Sequence, residues 1–223
     1  MLRFSSSTLL LLIGYLCGFS QNEITKDELI KYVVNQQHNR VSFQDNNEIF
    51  YPQIIETYDS LNMLGVDTIG IYLEEHIGSV FDPDYCIGDE PWFGYVFWEK
   101  HDSSKMKKIT KYCKSAPLVF PDAVLIRYAI NAYPKLSTSY ILPVTLGGYI
   151  NIKGDTILEQ SWIDHTTEYT LYCELGEKKV LRSYDEFEIS ESTSIFYDHN
   201  RTSIIKSWRE LVTNQLNEYF DRE

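Results

Sequence analysis

Residues 81 to 100, FDPDYCIGDEPWFGYVFWEK, carry the densest chemistry in the chain. Four carboxylates (Asp82, Asp84, Asp89, Glu90) surround Cys86, and five aromatics follow, Trp92, Phe93, Tyr95, Phe97 and Trp98. Three kinds of chemistry use such residues. A calcium loop of the EF-hand type wants oxygen ligands at its first, third and fifth positions, glycine at the sixth and glutamate at the twelfth. Counting from Asp82, the first and third positions fit, but Cys86, Ile87 and Phe93 occupy the other three. Glycoside hydrolysis uses a pair of carboxylates whose separation in space sets the mechanism, and sequence spacing does not supply that separation. A binding face uses aromatics on one side of a strand: Trp92, Gly94, Val96 and Trp98 alternate with Phe93, Tyr95 and Phe97, so the tryptophans share a face. Aromatics in that pattern also make plain sheet core, and Asp-Pro, Gly-Asp and Glu-Pro are turn formers.

The next strand brings Lys105, Lys107, Lys108, Lys111 and Lys114 into an otherwise acidic chain. Lysines guard open sheet edges, and their stems cover aromatic surface. With HDSS as the hairpin loop, Trp98 faces Lys107 and Cys113 faces Trp92. Trp92, Tyr95, Trp98, Lys107, Asp82, Asp84, Asp89 and Glu90 are the candidate ligand-binding residues. Cys86 and Cys113 flank the hairpin and are the candidate disulfide, a closure worth about 3–4 kcal/mol on the chain-entropy account.

Elsewhere the chemistry is sparse. No two of His38, His76, His101, His165 and His199 fall within five residues, and no C-x-x-C, H-E-x-x-H, G-x-S-x-G or glycine-rich phosphate loop is present. These absences point to no metal and no cofactor. Asp164, His165 and Cys173 can be written as a thiol site, although the hairpin pairing makes Cys173 a buried structural cysteine. The triplet NRT at Asn200 fits a glycosylation acceptor, and Asn200 or Thr202 also suits the cap of the last helix.

The N-terminus reads as a secretory signal over residues 1–20. Arg3 precedes the apolar run TLLLLIGYL, and Gly18 and Ser20 are small residues before Gln21. A lipoprotein signal wants a small residue before its cysteine, and Leu16 precedes Cys17, which argues against lipid anchoring. No later stretch approaches the roughly 20 apolar residues of a membrane span. The expected location is periplasmic or extracellular. The net charge of −12 repels phosphate backbones and anionic lipid, which reads against nucleic-acid binding.

A single domain over 21–223 must hold these residues in place. Thr25 and Glu28 have the spacing of a capping box, and Pro52 suits the first turn of a second helix that ends near Gly65. Strands are expected over 66–74, 92–100 and 105–113. Segment 121–133 leans towards helix. Gly154-Asp155 and Gly176-Glu177 mark two-residue hairpin loops, the second placing Glu174 opposite Lys179 and Cys173 opposite Val180. Ile204, Ile205, Trp208, Leu211, Val212, Leu216, Tyr219 and Phe220 recur at helical spacing. Helices and strands are segregated along the chain, so the class is α+β: a mainly antiparallel sheet of several hairpins, with N-terminal helices and a long amphipathic C-terminal helix packed on it. The expected function is an exported, non-enzymatic protein that binds a small molecule, a glycan or another envelope component. The alternative is a secreted hydrolase using carboxylates of the 82–90 turn, with His165 as an accessory.

Overall fold

The computed structural model describes residues 25, 51–77, 91–100, 103–111, 113–120, 124–151 and 153–220. Helix α1 spans Pro52–Met63; β1 is Thr68–His76, β2 Trp92–Lys100, β3 Ser103–Thr110 and β4 Leu118–Phe120. Helix α2 is Val124–Leu136, followed by β5 Thr145–Ile150, β6 Thr156–Gln160, β7 Thr167–Leu175 and β8 Lys178–Asp185. Helices α3 (Glu186–Ser190), α4 (Tyr197–Arg201) and α5 (Ile204–Phe220) complete the chain. The expected helix from Thr25 lies outside the described residues.

Six strands form one sheet in the order β4-β3-β2-β1-β7-β8, and every pairing is antiparallel. β5 and β6 form a separate two-stranded sheet. The large sheet is buried on both faces. Ile69, Ile71, Leu73, Trp92, Val96, Trp98, Tyr172 and Leu181 pack with Ile54 and Leu61 of α1. On the other face, Tyr72, Tyr95, Phe97, Leu171 and Cys173 pack with Ile126, Ala129 and Leu136 of α2 and with Ile205, Trp208, Val212 and Leu216 of α5. Burial on both faces explains why β2 reads as a continuous apolar run. Gly70 is required there: the ring of Phe97, its cross-strand partner, occupies the space a Cβ would fill, with Phe97 Cε2 only 1.9 Å from that position.

α1 begins at Pro52, whose missing N–H leaves nothing unsatisfied in a first turn. It stops before Gly65, which takes φ +72°. Gly176 takes φ +64° in the two-residue loop between β7 and β8, and Glu174 pairs with Lys179 and Cys173 with Val180.

Other expectations are corrected. The β2–β3 hairpin closes on the pair Lys100–Ser103, so its loop is two residues shorter than HDSS. Trp98 therefore faces Lys105, and Lys107 faces Val96. A slip of two residues keeps every side chain on its face. The β5–β6 loop runs from 151 to 155 rather than over Gly154-Asp155 alone. Asn151 is the cause: its Oδ1 accepts from the N–H groups of Lys153 at 2.8 Å and Asp155 at 2.9 Å, an Asx-type turn. Asn200 belongs to α4 and does not cap α5; Ser203 Oγ accepts from Ile205 N–H there. Asn200 is fully buried, its Nδ2 donating to the carbonyls of Leu142 and Glu188 and its Oδ1 accepting from Leu142 N–H. That environment leaves no room for a glycan.

Candidate functional site

The tryptophans do not form an exposed face. Trp92 is 2 % exposed, Tyr95 6 % and Trp98 7 %. β2 lies third from the edge of the sheet, with α1 over one face and α2 and α5 over the other. Tyr51 stacks flat on Trp92, ring centroids 3.9 Å apart, and a Cβ at Gly94 would meet Ile54 Cδ1. Lys105 and Lys107 stand half-buried on the tryptophan side of β3. Asp82, Asp84, Cys86, Asp89 and Glu90 lie outside the described residues, so the acidic turn has no geometry here.

The thiol arrangement fails on distance. Cys173 is buried in the middle of β7, between Gly70 and Val180. His165 and Asp164 are exposed ahead of that strand. The six steps from Thr167 to Cys173 alone span about 20 Å. Burial, and behind it the charge of Glu174, pushes the Cys173 thiol up to about 12, so it is not a nucleophile at neutral pH. Cys113 is one half of the candidate disulfide, and its expected partner Cys86 lies outside the described residues. Cys113 lies in a turn just after β3, where Thr110 N–H donates to its carbonyl at 2.8 Å, and not opposite Trp92.

Two polar clusters come together that the sequence spacing did not single out. The first lies between the sheet and α5. Tyr95, Tyr72, Tyr169 and Tyr184 come from four adjacent strands, β2, β1, β7 and β8, with neighbouring ring centroids 6.4, 6.4 and 5.5 Å apart. Tyr72 OH donates to Glu74 Oε2 at 2.7 Å, and His76 Nε2 lies 3.6 Å from Glu74 Oε1. Burial, with help from the Glu74 carboxylate, pushes the Tyr95 phenol up to about 12 and raises Tyr72 further. Burial thus favours the protonated form of both phenols, and Tyr72 uses its proton on Glu74. The guanidinium of Arg209 sits 3.8 Å from the Tyr169 ring centroid and donates to Glu186 Oε2 at 2.7 Å. Its charge is spent inside the protein.

The second cluster is acidic and lies on the α1 face. Glu75 pairs across strands with Glu168, and Glu168 with Asp185, so three carboxylates stand in one row. Like charges at such positions repel. Each is moderated locally: Tyr51 OH donates to Glu75, Ser183 OH to Glu168, and the N–H of Glu188 to Asp185. Glu188 completes a capping box at α3, its Oε2 accepting from Asp185 N–H. Burial first, then the Asp185 charge, pushes the Glu188 carboxyl up to about 8. Among the described residues, no group of three or more His, Cys, Asp or Glu side chains is arranged to hold a metal ion.

The surface that does offer itself is the small hairpin. Trp162 is 77 % exposed, and Ile163, Leu146 and Ile157 are exposed at 46, 51 and 37 %. The hairpin is tethered by Leu158, which packs against the cluster of Tyr140, Leu142 and Phe196. The outer edge of β5 is occupied at its first residue, since Ile195 N–H donates to Thr145 O and Thr145 N–H to Ser194 Oγ. The outer edge of β6 pairs with no strand among the described residues. A tryptophan directly after a short polar strand was the available signal for this surface.

No family model, no curated protein and no solved structure matches the chain.

Proposed function

We propose that the chain is an exported, non-enzymatic binding module of the cell envelope, and that it takes its partner on the β5–β6 hairpin and the Trp162 loop. The observation that carries this reading is Trp162, a large side chain left 77 % exposed, in a stretch that also exposes Leu146, Ile157 and Ile163. Single exposed apolar residues are ordinary, whereas tryptophan is among the side chains most favoured at binding hot spots. The interior clusters support binding over catalysis: Arg209 is bound to Glu186, and Cys173 is buried away from His165. Around this surface the proposed scaffold has N-terminal helices, one starting at Thr25, and an amphipathic C-terminal helix packed on the sheet.

Residue-resolved oxidation footprinting tests the reading. In the free protein Trp162 labels strongly, while Trp92, Trp98 and Trp208 stay protected. Adding detergent-solubilised envelope extract protects Trp162. Unchanged labelling across extracts that span glycans, peptides and envelope proteins refutes it.

A further inference from the structure

We infer that the edge of β6 left without a strand partner among the described residues, together with Trp162, receives a basic, extended peptide segment of a partner protein, added as a third strand to the hairpin. The inference rests on the hairpin being the partner surface. Three observations carry it.

The first is the unpaired edge. In an antiparallel strand, alternate residues turn their N–H and C=O groups away from the existing partner, and an edge left so is a template for another strand. The second is how differently the edges are defended. The outer strand β8 of the large sheet carries Lys178 and Lys179, and β3, next to the three-residue edge strand β4, carries Lys105, Lys107 and Lys108. β6 reads TILEQ, with no lysine and no proline. The third is charge. Asp155, Glu159 and Asp164 are exposed along the hairpin and the Trp162 loop, against Lys153. A hairpin and loop whose exposed charges are mostly carboxylates, and which also expose Trp162, Ile163, Leu146 and Ile157, fit a strand whose side chains alternate between cationic and apolar. In strand addition the main chain supplies affinity and the alternate side chains supply specificity, and opposite charge adds rate, register and salt sensitivity.

Acrylamide quenching of tryptophan fluorescence reads the site directly, because Trp92, Trp98 and Trp208 are buried and Trp162 is exposed. The probes are three nine-residue peptides: alternating Lys and Val, alternating Glu and Val, and the Lys–Val peptide with two internal prolines. The Lys–Val peptide shields Trp162. The Glu–Val and proline peptides bind about tenfold or more weakly, which is roughly 1.4 kcal/mol. Raising the salt concentration weakens the Lys–Val complex. Trp162→Ala, shown folded by circular dichroism, weakens the complex about tenfold by peptide anisotropy, a loss typical of an aromatic anchor. Equal binding of the Glu–Val peptide overturns the charge argument, and equal binding of the proline peptide overturns strand addition. Shielding of Trp162 by raised protein concentration alone makes the occupant a second copy and overturns the inference. If envelope extract shields Trp162 but no peptide does, the basic strand is wrong and the partner surface stands. If nothing shields it, both fall.

Discussion

Glu188 gives the sharpest quantitative test of how the acidic end of the sheet is built. Its carboxyl is held by the α3 capping box, buried, and near Asp185 and Glu168. It rises from an ordinary 4.5 to about 8. A carboxyl raised in the folded state binds its proton more tightly there than in the unfolded chain. Its contribution to stability is therefore complete below pH 4.5, declines as pH rises, and is lost above pH 8. The interval between the two values, at about 1.4 kcal/mol per unit, sets a ceiling of about 5 kcal/mol. Solvent at a half-buried helix end lowers the expected loss to about 2–4 kcal/mol. Glu188→Gln removes the titration and keeps an acceptor for Asp185 N–H. Urea denaturation of both proteins at pH 5, 6, 7, 8 and 9 is the assay. At pH 5 the two unfolding free energies lie within about 0.5 kcal/mol of each other. By pH 9 the variant is the more stable by about 2–4 kcal/mol, and its profile across the window is flatter. Parallel profiles from pH 5 to 9 would refute the reasoning, since they place the Glu188 charge in water in both states.

Two further perturbations probe other joints of the fold. Arg182 closes the end of α2: Nε donates to Ser139 O, and NH2 donates to Leu136 O and Ser137 O, all within 2.8 Å, while the guanidinium covers the Tyr140 ring. Arg182→Lys loses the planar fork and leaves carbonyls without donors, so urea unfolding should show a loss of about 2–4 kcal/mol; a change under 0.5 kcal/mol would mean water replaces the guanidinium freely. For the cysteines, we propose the pair Cys86–Cys113, and mapping of unreduced, alkylated protein is expected to yield that linked peptide. In the same experiment Cys173 stays unmodified until denaturant is added, because its thiol is buried and raised to about 12. Rapid native alkylation of Cys173 contradicts the burial, and a linked peptide lacking Cys86 contradicts the pairing.

The periodic segments were readable because one side-chain pattern admits one backbone. Pro52 and Gly65 bracketed α1, and Gly176 at a two-residue loop set a register that paired Glu174 with Lys179. What the pattern of a strand does not contain is the strand's neighbours. Trp92 and Trp98 alternate identically whether β2 is an edge or lies third in a six-stranded sheet, and only the lateral order decides that they are buried. The HDSS loop erred by an even number of residues, a slip that leaves both faces intact and is invisible to hydrophobic patterning. Asn151 lengthened the β5–β6 loop through two hydrogen bonds from its side chain, a local competition that a Gly-Asp signal outweighs on paper. The acidic row joins Glu75 to Glu168 across 93 positions and Glu168 to Asp185 across 17; β1 meets β7 there because β5 and β6 leave the large sheet. That departure also frees the hairpin. The five-residue β6, TILEQ, has one apolar residue for each face, Ile157 and Leu158, so it hangs on Leu158 and leaves Trp162 outside. The same event in the topology thus hides the aromatics that sequence patterning favours as a binding face and exposes the one it passes over, which is why the search for a partner begins at residue 162 and not at residues 92 to 98.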